Sequence, residues 1–318
     1  QKRGFQKKPV QFIRYFSPTA SQHSSSTKPI VYNYPEMKKQ TLSVVLATFN
    51  EQENIVDCLN SLKGIANEVI VVDESSTDKT RELAKAKGAK VFKVKHEPIF
   101  HITKNKAIRK ATGNWILQLD ADERLTLKMK NEITGLLNGK YFGVDSWLSP
   151  LKRALLIFPK PKKLTQPAAA YWLPRKNLFL NRYLKNCGQY PDPVIRLFQN
   201  GKAILPAISV HEQMKVQGTV GWLQSDLNHL ATPKFERYLM RENRYSTLEA
   251  KYLYKKGVKI NLLNTLSYLF LKPLKTFLSL YIRHRGFLDG FPGFVFSLYS
   301  GFHHAFSYMK LWELYKNS

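Results

Sequence analysis

Asp120 and Asp122 stand one residue apart at the end of the apolar run Trp115–Leu119. Two carboxylates so spaced can share a hard divalent cation. Mg²⁺ or Mn²⁺ prefers oxygen ligands and commonly takes one or two carboxylates plus substrate phosphates. The metal would neutralise charge on a departing diphosphate. A solvated acidic turn has the same spelling, but the preceding run favours metal–diphosphate binding, with Asp122 as direct ligand and Asp120 on a ribose or orienting the turn. Asp73 closes a second run, in VVDESSTDKT. There it accepts from a nucleobase N–H or a ribose hydroxyl, or caps a helix starting near Ser75 or Ser76. Thr48 and Asn50 follow a third run. Lys104, in HITKNKAIRKATG, is placed for a phosphate, in competition with Lys106 and Arg109.

Downstream, YPDPVIRLF sets Asp192 between Pro191 and Pro193, whose rings restrict the loop. Arg196 either clamps a phosphate or pairs with a carboxylate. VHE then supplies His211 and Glu212. Asp192 is the preferred base for an acceptor hydroxyl and Glu212 its rival. His211 is a metal or phosphate ligand, or a structural hydrogen-bonding residue. There is no GxGxxG after the first strand and no GxxxxGK[ST] anywhere, so the usual dinucleotide and P-loop cradles are unsupported. Two cysteines, Cys58 and Cys187, exclude a disulfide framework and a four-thiolate zinc site.

The elements that must position these residues read as α/β. LSVVLA (42–47), EVIVV (68–72), residues 91–94 and WILQL (115–119) are strands, the continuous β-branched run of the first implying burial on both faces. Helical spacing fills 51–62, 75–87 and 105–111 between them. Right-handed crossovers make this an open, mostly parallel sheet with helices on both faces, whose ligands bind beyond the carboxyl ends of the strands. Thr48, Asn50, Asp73, Asp120 and Asp122 all sit at such ends.

LSVVLATFNEQENIVDCLNSL, EVIVVDESSTDKT and ATGNWILQLDADE resemble the family 2 glycosyltransferases of GT-A fold. YWLPRKNLFL, YPDPVIRLF, VHE, RYSTLEA, RGFLDGFPGF and KLWELYK resemble the branch that adds glucose to a heptose of the lipopolysaccharide inner core. The resemblance runs from about Leu42 to Tyr315. It implies a nucleoside-diphosphate sugar donor (a UDP-sugar, with glucose as the sugar), a divalent metal and inversion by single displacement. Asp73 then matches the nucleotide-binding aspartate, and Asp120 and Asp122 the metal-associated DXD motif. Asp192 lies roughly where the family carries its base, and Arg196 near its QxxRW motif. That motif reads VIRLF here, and the acidic Glu–Asp pair is replaced by Pro191–Asp192, so Glu212 stays in contention.

The chain has 318 residues and a formal net charge of +27. A wholly disordered chain is excluded by 43% hydrophobic residues. Residues 41–139 hold 15 basic and 13 acidic residues, whereas residues 1–40 hold eight and one, 140–215 hold 13 and three, and 216–318 hold 14 and six. This predicts a basic flexible arm over 1–40 and a catalytic domain over 41–230, split into a donor half to 139 and an acceptor half from 140. A helical, membrane-associating or oligomerising region follows over 231–318. Lys272, Pro273 and Lys275 interrupt the apolar stretch 260–282, and 291–309 carries no Asp, Glu, Lys or Arg but two glycines and three serines. Helices lying in the interface of an anionic membrane fit better than a span. The partners expected are a nucleotide sugar, a phosphorylated or lipid-linked glycan, an anionic membrane at the cytoplasmic face of the inner membrane, and a second copy of the chain. Two other classes compete: a basic nucleic-acid-binding protein, disfavoured by the near-neutral donor half and the lack of finger or RNP motifs, and a catalytically inactive membrane scaffold.

Overall fold

The computed structural model describes residues 40–139, 167–207, 213–232 and 234–317. Residues 1–39 of the expected arm over 1–40, and the candidates His211 and Glu212, lie outside the described residues.

β1 (Leu42–Thr48), β2 (Glu68–Asp73), β3 (Lys90–Lys93) and β4 (Trp115–Leu119) alternate with α1 (Ile55–Ser61), α2 (Thr80–Ala86) and α3 (Phe100–Ile108). β1 is buried at all seven positions. Its alternate side chains serve two cores, as strand geometry requires. Leu42, Val44 and Leu46 pack with Ile55, Leu59 and Leu62 of the α1 segment and with Met129 and Ile133 of α4 (Leu127–Leu137). Val45 packs on the other face with Ala107 and Ile108 of α3.

β5 (Glu123–Leu125) follows the DAD turn, and the chain continues through β6 (Ala170–Leu173), β7 (Arg175–Phe179), β8 (Arg182–Tyr183), β9 (Val194–Gln199), β10 (Ala203–Ile204), β11 (Lys215–Val216), β12 (Val220–Trp222) and β13 (Leu227–Thr232). The main sheet runs β12-β6-β9-β4-β1-β2-β3. It is mostly parallel, as the sequence predicts, with β9 antiparallel to both its neighbours β4 and β6. That inserted strand brings Arg196 beside the end of β4. A second sheet, β5-β13-β7-β8, grows directly from the DAD turn.

Two helices start later than their apolar spacing suggests, at Ile55 and Thr80. The preceding loops are laced to each other instead. Asn50 N donates to Ser76 Oγ (2.8 Å), Glu51 N to Thr80 Oγ1 (2.7 Å) and Thr77 N to Asn50 Oδ1 (2.9 Å). Short polar side chains satisfy amides that a further helical turn would otherwise use. α3 starts earlier than expected, at Phe100.

The C-terminal region begins with α5 (Phe235–Lys255). Then come α6 (Leu262–Leu266), a π-helical turn (Ser267–Leu271), α7 (Lys272–Leu278), a second π-helical turn (Ser279–Arg283), a 3₁₀ turn (Gly286–Asp289) and α8 (Gly290–Lys316). Tyr238 packs with Val295, and Leu253 with Tyr308 and Leu311, so α8 runs parallel to α5. Thr276 meets His304 and Thr265 meets Tyr308, so α6 and α7 run antiparallel to α8.

Candidate active site

The carboxyl ends of β1 and β2 are closed around Asp73, which is fully buried. Its Oδ1 accepts from Ser76 N (2.8 Å), and its Oδ2 from Thr48 Oγ1 (2.7 Å) and Ser76 Oγ (2.5 Å). Asn50, at φ +54°, holds Thr77. Thr48, Asn50 and Asp73 are therefore brought together, and Asp73 is engaged by the loop after β2 rather than capping a helix. Beside them Phe49 is 42% exposed, its ring 5.3 Å from that of His96. This accessible aromatic pair was not singled out from the sequence.

Asp120 is flanked by two cations. Lys104 Nζ lies 2.6 Å from Oδ1 and Arg196 Nη2 2.5 Å from Oδ2. Burial would raise this carboxyl, but the charges of Arg196 and Lys104 outweigh it and hold it well below the usual carboxylate range. Lys104 is thus directed at Asp120. Arg196 realises the carboxylate-pairing reading: it is buried, bonds Gln118 through Nη1, and also reaches Glu123 Oε1 at 2.8 Å. Burial would lower the guanidinium's pKa, yet Asp120 and Glu123 raise it. Glu123, fully buried on β5, also meets Arg175 Nη1 of β7 at 3.3 Å.

Arg175 carries the network to Asp192. Its Nε and Nη2 donate to Asp192 Oδ2 at 3.0 and 2.5 Å, and Asn177 Nδ2 donates to the same oxygen at 3.0 Å. Asp192 Oδ1 accepts from none of the described residues, and the carboxylate is 37% exposed. One oxygen is held in place while the other stays open. Asp192 lines a pocket of about 160 Å³ together with Arg175, Asn177, His229, Arg241 and Phe296 among others. Arg241, from α5, has its Nε buried with no hydrogen-bond partner.

Asn177 also decides what His229 presents. Its amide nitrogen faces Asp192, so its oxygen accepts from His229 Nδ1 (2.6 Å). The other ring nitrogen, Nε2, lies 3.4 Å from Asp122 Oδ2. Two lone-pair groups face each other at that distance only across a shared cation, a proton or a metal ion. Burial would raise the Asp122 carboxyl, but its bond to His229 outweighs that and lowers it. Glu51 lies close enough to feel both aspartates: burial, and then Asp122 and Asp120 against a bond from Asn54, raise it. Asp120 is already paired with both Lys104 and Arg196, so Asp122 and His229 are the pair left to meet a cation. Among the described residues no group of three or more His, Cys, Asp or Glu could hold a metal. A pair completed by substrate oxygens and water is the arrangement Mg²⁺ and Mn²⁺ often adopt. The sequence does not single out His229 or Asn177; it points to His211 as the histidine ligand.

Residues 43–137, which carry β1 to β4 and the DAD turn, match the family model described as glycosyl transferase family 2. This segment is a family 2 glycosyltransferase domain. The chain is a glycosyltransferase, with the GT-A type of fold. An uncharacterised glycosyltransferase of Rickettsia typhi is 29% identical to it over 278 residues, 87% of this chain and 88% of that protein. The glycosyltransferase SunS of Bacillus subtilis is 33% identical over 129 residues, 39% of this chain and 30% of SunS. Among solved structures, glucosyl-3-phosphoglycerate synthase of Mycobacterium tuberculosis, in complex with Mn²⁺, uridine diphosphate and glucosyl-3-phosphoglycerate, is 26% identical, with a TM-score of 0.27 over 33% of this chain and 46% of that one. The matched segment spans less than half of that structure's length. Arg175, Asn177, Asp192, Arg196 and His229 of this glycosyltransferase all lie beyond the matched family segment.

Proposed function

We propose that the protein transfers glucose from UDP-glucose to a hydroxyl of a phosphorylated, lipid-linked saccharide of the lipopolysaccharide-core type, with inversion, at the cytoplasmic face of the inner membrane. The observation that carries the reading is the Asp192–Asn177–His229 chain of hydrogen bonds, which aims His229 Nε2 at Asp122. Asp122 and His229 would hold Mg²⁺ or Mn²⁺, and the bound metal would offset negative charge on the departing diphosphate. Asp120, fixed by Lys104 and Arg196, orients the turn and faces the ribose. Asp73, Thr48 and Asn50 shape the nucleotide end, and Phe49 offers its ring to the base. Asp192 Oδ1 takes the acceptor proton as the acceptor oxygen attacks C1 opposite the diphosphate. Arg175 and Asn177 keep that oxygen aimed. Arg241, which lines the same pocket, receives an anionic group of the acceptor.

Calorimetric titration of UDP-glucose with Mn²⁺ tests the donor site. The wild type should bind only with metal present, and Asp122→Asn and His229→Ala should each weaken binding by tenfold or more. Metal-independent binding that both variants retain would remove the site from this reading. Asp192→Asn should bind donor normally and lose transfer. The same loss from Glu212→Gln, with Asp192→Asn active, would move the base to Glu212.

A further inference from the structure

We propose that the face formed by α6, α7 and the two π-helical turns docks on an anionic lipid surface. This deepens the membrane part of the reading above and is independent of the sugar chemistry. Leu262, Leu266, Phe270, Leu274, Leu278 and Ile282 recur every four residues, and all are between 42% and 74% exposed. Such a repeat does not stay on one side of a plain α-helix, because four residues overshoot a turn by about 40°. The alternation of α and π turns corrects this. A π turn of about 4.4 residues falls short by a similar angle. The stripe therefore stays on one side for the length of the segment. Phe287, Leu288 and Phe291, each 49% exposed or more, extend it past the 3₁₀ turn.

The opposite side of the segment is committed to the protein. Pro273 is buried, Tyr268 stacks on Tyr308 with centroids 5.1 Å apart, and Thr276 Oγ1 lies 3.1 Å from His304 Nε2. The far end is pinned to the loop before Asp192. Cys187 N donates to the His284 carbonyl (3.1 Å), and Asp289 Oδ2 accepts from Asn186 N (2.8 Å). The apolar stripe thus ends against the loop that leads to the candidate base.

Charge selects the occupant. From Ala250 to Leu288 the sequence holds eight Lys and Arg and no Asp or Glu, with Lys255, Lys256, Lys259 and Lys275 exposed. A symmetric dimer through this face would set like charges opposite one another. A nucleic acid would leave the leucines and phenylalanines in water. Anionic headgroups over acyl chains satisfy both features. Among the described residues no helix is long and apolar enough to cross a membrane, so the face lies on the surface.

Flotation of the full chain with vesicles tests this. It should float with phosphatidylcholine vesicles containing phosphatidylglycerol and not with phosphatidylcholine alone. Phe270→Glu with Leu274→Glu should abolish flotation, leaving the melting temperature and Mn²⁺-dependent UDP-glucose binding unchanged. Lys259→Gln with Lys275→Gln should weaken it about fivefold per lysine. Flotation that survives the glutamate pair overturns the proposal. So does a wild-type dimer that floats with neither vesicle and that the same pair splits into monomers. Metal-independent donor binding that Asp122→Asn retains, with flotation intact, would count against the transfer reading alone.

Discussion

Arg196 joins the two halves of the site. Its guanidinium spans Gln118, Asp120 and Glu123, three side chains that no other described cation connects. Replacing it with methionine keeps roughly the volume and leaves two carboxylates in a closed space. Arg196→Met should therefore cost about 3–5 kcal/mol, as removal of one member of a buried ion group does, measured by urea unfolding. Arg196→Lys should not restore the loss, since one ammonium cannot reproduce a planar fork shared by three acceptors. The residues that announced themselves in the sequence are those whose neighbours in the chain define them. Asp120 and Asp122 close an apolar run, and Asp73 closes another. His229 and Asn177 are different. Each sits in an ordinary strand, and they meet only because β13 pairs with β7 in a register that sets His229 opposite Asn177. The sole local sign was a histidine inside the short strand LNHLAT. Arg196 was legible as a charge, but its partner depended on β9 inserting beside β4.

Strands and helices show the same division. β1, β2 and β4 were readable because continuous apolar runs have few other uses. The second sheet was not, since its edge strands β5 and β8 are three and two residues long and take their conformation from their partners. In the C-terminal region the packing of α7 on α8 gives two checks. A Cβ on Gly301 would lie 2.7 Å from the Pro273 carbonyl oxygen. Gly301→Ala should then push the helices apart, lower stability by about 1–3 kcal/mol, and speed tryptic cleavage at Lys275. At the same contact, burial, then His303 and Lys272, lower the His304 pKa to about 4. The folded state holds this imidazole neutral, so the unfolded chain binds the extra proton between the two pKa values. Its contribution is complete above about pH 6.5 and is lost as the pH falls towards 4. Melting temperatures across that interval should drop for the wild type and drop less for His304→Gln.

Taken whole, the molecule divides its charge as it divides its work. Residues 41–139 are nearly balanced in charge, while the helical region and the segments around Asp192 carry the excess. Added salt should therefore slow transfer to a lipid-embedded acceptor and leave the affinity for UDP-glucose nearly constant. Parallel turnover and calorimetric measurements would show both, and an equal salt response in the two would contradict this division. The pocket beyond Asp192 has a further consequence. It is walled by the second sheet on one side and by Arg241 and Phe296 of the helices on the other, whereas the exposed Phe49 and His96 lie at the ends of the donor strands. For the proposed lipid-linked acceptor, the two products would part into different phases. The nucleotide would diffuse into water, and the lengthened saccharide would stay in the plane of the lipid. Product inhibition in such an enzyme comes from free nucleotide in bulk and from crowding of glycolipid in two dimensions, and the two respond to different dilutions.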